Sequence, residues 1–244
     1  MSTAATTPDA LSRGGQPNKP RPDVLYWTTA IAWGGILTWL AYRHRHALYS
    51  DAGILSAWVL ATAVIHLLPV MTRTSPKLIA DLPISIAGAI VLSPVQAGLV
   101  ASLGALDLSE FKKETGIAKT LFNKSQIGIA SFLASAAVHG VAPRPGASLY
   151  LLPLAFLALA VLALVSGGLV SLAVSIGRGH PLWKVARQLR IGTFSDFGLT
   201  LLAWGLLGAM LAALYHQVHV WALFAFLAPT LLTRQALSRS QKLL

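Results

Sequence analysis

Cysteine is absent from all 244 residues. That excludes disulfides, a thiolate nucleophile and any metal site built on sulfur. Charge is scarce: charged residues make up 11% of the chain, where a soluble domain carries about 25%. Acid is the scarcer sign, with 8 Asp and Glu against 19 Lys and Arg. No polar stretch is long enough for a soluble catalytic domain, since the longest is the first 24 residues. The common enzyme patterns are missing too. There is no His-Glu-x-x-His, no Gly-x-Ser-x-Gly, no phosphate-cradling Gly-x-x-x-x-Gly-Lys and no pair of carboxylates on one apolar helix. The chain reads as non-enzymatic, with no cofactor.

What is present is apolar surface. Hydrophobic residues reach 55% and the mean hydropathy is +0.65. Seven stretches stand out: Leu25–Tyr42, Ala52–Met71, Leu78–Leu106, Leu121–Val141, Leu149–Ile176, Ile191–Tyr215 and Val218–Leu232. A helix needs about 20 apolar residues to cross a bilayer. These runs are continuous and do not alternate with period two, so they read as helices and not barrel strands. The fold class is all-α: a polytopic integral membrane helical bundle of seven or eight segments. Residues 1–24, rich in Ser, Thr, Pro and Gly, read as a disordered tail. Residues 25–233 form the transmembrane helical domain, and 234–244 a short basic tail. A long polar tail ahead of a first segment that ends in Arg43-His44-Arg45-His46 argues against a cleaved signal peptide.

The third stretch is interrupted by Ser93-Pro94. Proline removes a backbone donor and disfavours helix at the residue before it. The stretch is either one kinked span or a hairpin of two short segments. The distribution of positive charge favours the hairpin. Both chain ends then share one side with 16 of the 19 Lys and Arg, leaving Arg43, Arg45 and Arg144 opposite. A single crossing gives at best 13 to 6. Cytoplasmic loops collect Lys and Arg, so the expected placement is a bacterial inner membrane with both termini cytoplasmic. The net charge of +11 is then explained by anionic lipid headgroups, and nucleic acid is not an expected partner.

Chemistry resides in polar residues that the apolar segments should reject. Asp81 opens the broken segment, Gln96 follows its break, and Asn123 and Gln126 lie three apart on one helix face. Asp196 sits five residues into its own segment. Intramembrane carboxylates usually face the bundle interior or a wet cavity. Asp81, Gln96, Asn123, Gln126 and Asp196 are therefore the candidate ligand-binding residues. Each has a plainer reading. The two carboxylates lie near segment ends, within reach of headgroup water or a lysine. Asn123 and Gln126 would serve as interhelical hydrogen-bond glue, worth about 0.6 kcal/mol per contact. His66, three residues before Pro69, would satisfy a carbonyl loosened by that proline. The loop histidines His44, His46, His216 and His219 have no carboxylate beside them to complete a metal site. Gly177 to Arg190 reads as a basic surface helix with Leu182 and Trp183 dipping into lipid. Its Lys184, Arg187 and Arg190 would meet headgroups or a cytoplasmic protein partner.

The stretch Leu121-Phe122-Asn123-Lys124-Ser125-Gln126 after the Ser93-Pro94 break carries a resemblance. So do the Gly179-His180-Pro181-Leu182-Trp183 loop and the ending Phe226-Leu227-Ala228-Pro229-Thr230-Leu231-Leu232-Thr233-Arg234. Together they resemble the N-terminal multi-helix membrane regions of bacterial diguanylate cyclase and HD-type cyclic-dinucleotide phosphodiesterase sensor proteins, here without the output domain. A looser likeness is to the substrate-binding subunits of energy-coupling-factor transporters. The resemblance implies a membrane module that senses a small ligand or lipid, and does not carry the enzymatic activity over. A transporter, or the substrate-binding subunit of one, is the alternative. The broken hairpin has no counterpart in the second half of the chain, which counts against an inverted-repeat transporter.

Overall fold

Helix starts and stops follow the local chemistry. The structure is a computed structural model, and it describes residues 22–67, 70–72, 75–78, 81–106, 116–142, 150–188 and 194–229. The first helix, α1 (Asp23–Arg43), has an acidic first residue and a basic last one, matching its dipole. A six-residue α2 (Arg45–Ser50) leads into α3 (Ala52–His66). A short antiparallel pair follows, β1 (Val70–Thr72) and β2 (Ser75–Leu78), with Val70 opposite Leu78. Next come α4 (Leu82–Val91) and α5 (Pro94–Gly104), then α6 (Ile117–Val141), α7 (Leu151–Arg178), α8 (Leu182–Gln188) and α9 (Phe194–Val218). Residues 221–229 form α10. Gly179 ends α7 in the left-handed region (φ 66°), where a side chain would be strained, and Pro181 opens α8, its carbonyl accepting the Lys184 and Val185 N–H groups.

The third apolar stretch is a hairpin. Leu92 and Ser93 are extended, with ψ of 147° and 158°, and Pro94 starts α5. The direction of each helix follows from side-chain contacts. At one end His66 of α3 meets Asp81, and a Cβ on Gly104 of α5 would lie 2.6 Å from Thr62 of α3. At the other end Gln96 of α5 bonds to Asp51, just before α3. The chain thus travels down α4 to Ser93 and back up α5, both alongside α3. The Ser93 turn is level with Asp51, and the two feet of the hairpin are level with His66.

Helix α6 holds the centre, packing against α1, α4, α5 and α7. It runs parallel to α1, since Tyr26 meets Phe122 (ring centroids 4.8 Å) and Trp33 meets Phe132 (5.8 Å). The short α4 is enclosed by α6, α7 and α9. Pro83, Ile84, Ile86, Ala87, Gly88, Ala89 and Ile90 are all buried. Helices too short to cross a bilayer upright must be shielded by protein, and α4 is. Small residues permit the approach of α9. A Cβ on Gly208 would come within 2.5 Å of Ile86, and one on Gly205 within 2.7 Å of Phe156.

The outside of the bundle is apolar. Ile31, Ile36, Leu164, Leu206, Met210 and Phe224 are exposed. An apolar exterior of this extent fits lipid and not water. Among the described residues, three of the seven expected segments form helices long and apolar enough to cross a membrane: Asp23–Arg43, Leu151–Gly177 and Leu201–Val218. The α6 helix is long enough, but Lys119, Asn123, Lys124 and Gln126 crowd its first three turns.

Some boundaries differ from the sequence reading. Asp23 and Val24 belong to α1 and not to the tail. The second segment stops at His66, five residues before Met71, because the chain turns into β1. This short β-hairpin is the one departure from all-helical structure among the described residues. Residues 1–21, the loop 107–114 and the tail 234–244 lie outside the described residues.

Candidate functional site

Two apolar helices end at a polar pair. His66 is the last residue of α3, and Asp81 is the residue that caps the start of α4. The β-hairpin between them closes the chain on itself. Asp81 Oδ2 lies 3.1 Å from His66 Nε2, in ion-pair range. The contact is not aligned as a hydrogen bond, so Nε2 has no hydrogen-bond partner among the described residues. Asp81 is 8% exposed, and its other oxygen, Oδ1, is buried without a partner among the described residues as well. His66 Nε2 therefore faces a carboxylate, and Pro69, whose loosened carbonyl it was expected to satisfy, lies outside the described residues. Asp81 is not turned out to solvent. A buried carboxylate left half-paired is costly, and such sites are usually functional.

A second unpaired acceptor lies at the same depth. Gln126 on α6 is 8% exposed, and its Oε1 has no partner among the described residues. The register comes from Ser135, whose Oγ–H donates to the Leu92 carbonyl at 2.8 Å. Asp81 is eleven residues back from Leu92 and Gln126 nine back from Ser135. At about 1.5 Å per residue both are about 15 Å from that bond, in one layer of the bundle. Asn123, one turn from Gln126, is half-buried in the same layer.

Gln96 does not join them. It stands at the Ser93 end, about 16 Å along α4 from Asp81. Both ends of its amide are occupied. Oε1 accepts the Ser93 N–H at 3.0 Å, as half of a capping box, and Nε2 donates to Asp51 Oδ2 at 2.8 Å. Its role there is to pin the hairpin turn to the start of α3. Asp196 and Arg187 fall in α9 and α8, but their side chains lie outside the described residues, as does all of Arg190. Lys184 is exposed on α8, beside exposed Leu182 and Trp183. Val185 on the same helix is buried.

Asp51 and Ser135 contribute without being singled out by the sequence, whereas His139 is one of the polar residues found deep inside an apolar segment. Asp51 is the partner of Gln96. Ser135 satisfies the carbonyl that the Ser93-Pro94 break releases. His139 Nδ1 sits 2.9 Å from the Ser135 carbonyl and 3.2 Å from its Oγ. A proton on Nδ1 suits both contacts, because the serine hydroxyl proton is committed to Leu92. Ser131, Ser135 and His139 repeat every four residues, and that spacing is a readable sign of one polar face.

The broken hairpin and the buried polar pair both fall inside one family match. Residues 37–233 match the MASE9 family model. The chain belongs to the MASE9 family, a family of membrane-associated sensory domains. No curated protein and no solved structure matches it. The MASE9 span begins within α1 and includes His66, Asp81, Gln96, Asn123 and Gln126. The expected membrane sensory module is thus confirmed at family level. The match carries no specific tie to cyclase or phosphodiesterase sensors, or to transporter subunits.

Proposed function

We propose that this MASE9 chain is the sensing part of a bacterial inner-membrane signalling system. It is non-enzymatic, and it binds a small ligand or lipid inside the bundle at the Asp81 end. The observation that carries this reading is the pair of buried acceptors in one layer, Asp81 Oδ1 and Gln126 Oε1, both without a donor among the described residues. Buried polar atoms are nearly always satisfied, so a layer that leaves two of them open is suited to a ligand with hydrogen-bond donors. Asn123 and His66 border that layer. The hairpin gives binding a mechanical consequence, because Asp81 begins α4, and α4 is enclosed by three other helices. A ligand that changes the Asp81–His66 contact changes how α4 sits between them.

The orientation is part of the same proposal. Lys119, Lys124 and Lys184 belong to helix ends at the Asp81 end, and Arg43 and Arg45 to the Ser93 end. This asymmetry supports a cytoplasmic Asp81 end, cytoplasmic termini, and a basic α8 that meets headgroups or a soluble partner. The test substitutes Asn123 and Gln126 by Leu, singly and together. Retained small molecules and lipids are then identified by native mass spectrometry, and stability is measured in the same detergent. Loss of a bound species by the variants supports the site. Variants as stable as wild type that retain every bound species refute it.

A further inference from the structure

A second binding surface opens outward along α3, lined by other residues than the Asp81 layer, and its polar mouth is at the end of the bundle opposite Asp81. Helices α1, α2, α3 and α5 enclose a groove of about 870 Å³ that opens outward. Its walls are apolar: Leu55, Val59, Leu60, Leu99 and Leu103. Leu55 is buried and forms the floor, while Leu60 and Leu103 are more than half exposed on the rims. The mouth has a different chemistry. Tyr42, Arg45 and Tyr49 stand there, where α1 turns into α2. The guanidinium of Arg45 lies 4.8 Å from the Tyr42 ring centroid, and its Nη1 donates to the Tyr42 carbonyl at 3.4 Å. The arginine is thereby held at the mouth, and one contact uses one of its five donors.

The dimensions select an occupant. Along α3 the groove runs from Ala52 to Ala63, about 16 Å at 1.5 Å per residue. A bilayer hydrocarbon core is about 30 Å thick, so one leaflet is about 15 Å deep. The groove is one leaflet long, apolar along its length, and carries a cation flanked by phenols at the level where a headgroup sits. We infer that it holds an acyl chain of one anionic phospholipid, with the phosphate on Arg45 and the hydroxyls of Tyr42 and Tyr49 beside it. This inference requires only that the bundle lies in a bilayer, and it does not depend on the ligand proposed at Asp81.

The test uses the full chain, released from micelles supplied with equal phosphatidylglycerol and phosphatidylcholine, and native mass spectrometry. Wild type is expected to retain one phosphatidylglycerol in preference to phosphatidylcholine. Arg45→Gln is expected to lower that preference about fivefold, the equivalent of about 1 kcal/mol per cation at an anionic surface. Arg43→Gln is the control, because Arg43 stacks on Trp39 outside the groove, at 5.1 Å. Leu60→Trp, which fills the groove from its exposed rim, is expected to remove the retained lipid of either headgroup without lowering thermal stability. An equal loss of preference in Arg43→Gln and Arg45→Gln would make the effect one of general charge and overturn the inference. So would a lipid-free dimer whose mass shifts to monomer in Leu60→Trp, since a second copy would then be the occupant. Unchanged lipid retention in Leu60→Trp would overturn it as well.

Discussion

Replacing Ser135 by Ala should destabilise the bundle, although no volume is lost beyond one hydroxyl. Pro94 and the extended Leu92-Ser93 pair interrupt the helical ladder, and the Leu92 carbonyl is left facing α6 inside the bundle. The Ser135 hydroxyl supplies its donor at 2.8 Å from a site with no solvent exposure. Removing a partner from a buried backbone acceptor costs about 1–3 kcal/mol. Polar contacts between membrane helices average about 0.6 kcal/mol and reach about 1.7. Alanine recovers a few tenths of a kcal/mol in helix propensity. The net expectation is a loss of about 1–1.5 kcal/mol, a fall in Tm of roughly 3–5 °C for a chain of this size. The internal control is one turn away. Ser131 is also buried, but its Oγ has no partner among the described residues, so Ser131→Ala should change stability by less than about 0.5 kcal/mol or raise it. Thermal unfolding of both variants in one detergent measures the difference. Equal effects in the two serines would refute the assignment of Ser135 as the donor that closes the hairpin turn.

Two other outcomes follow from packing and pairing. Gly208→Ala should cost about 1–3 kcal/mol, because the new methyl meets Ile86 at 2.5 Å within a filled core, whereas Gly167→Ala, with nothing within 4 Å, should stabilise by up to about 1 kcal/mol; thermal unfolding separates them. A double-mutant cycle on Asp81→Asn and His66→Gln should yield a coupling of about 1 kcal/mol or more, and strictly additive losses would show that the 3.1 Å approach carries no energy.

Part of the candidate site was legible in the chain. Asp81 and Gln126 are polar residues inside apolar runs, and both prove to be buried. Gln96 carries the same sequence signal but spends both ends of its amide on Ser93 and Asp51. Residue type and local spacing do not distinguish these cases, because the difference is made by partners 45 residues apart for Gln96 and 15 apart for Asp81.

The sequence by itself determined the solvent and the class of element. Long apolar runs without period-two alternation, sparse charge and a central Ser93-Pro94 break suffice for a helical membrane bundle with a folded-back segment, because hydropathy and the missing proline donor act locally. Tertiary structure alone decided which polar atoms are left over. His66 reaches Asp81 only because the β-hairpin returns the chain to the end of α3. The Leu92 carbonyl is satisfied only because α6 lies against the turn. Burial and pairing depend on neighbours distant in sequence, and no local pattern encodes them.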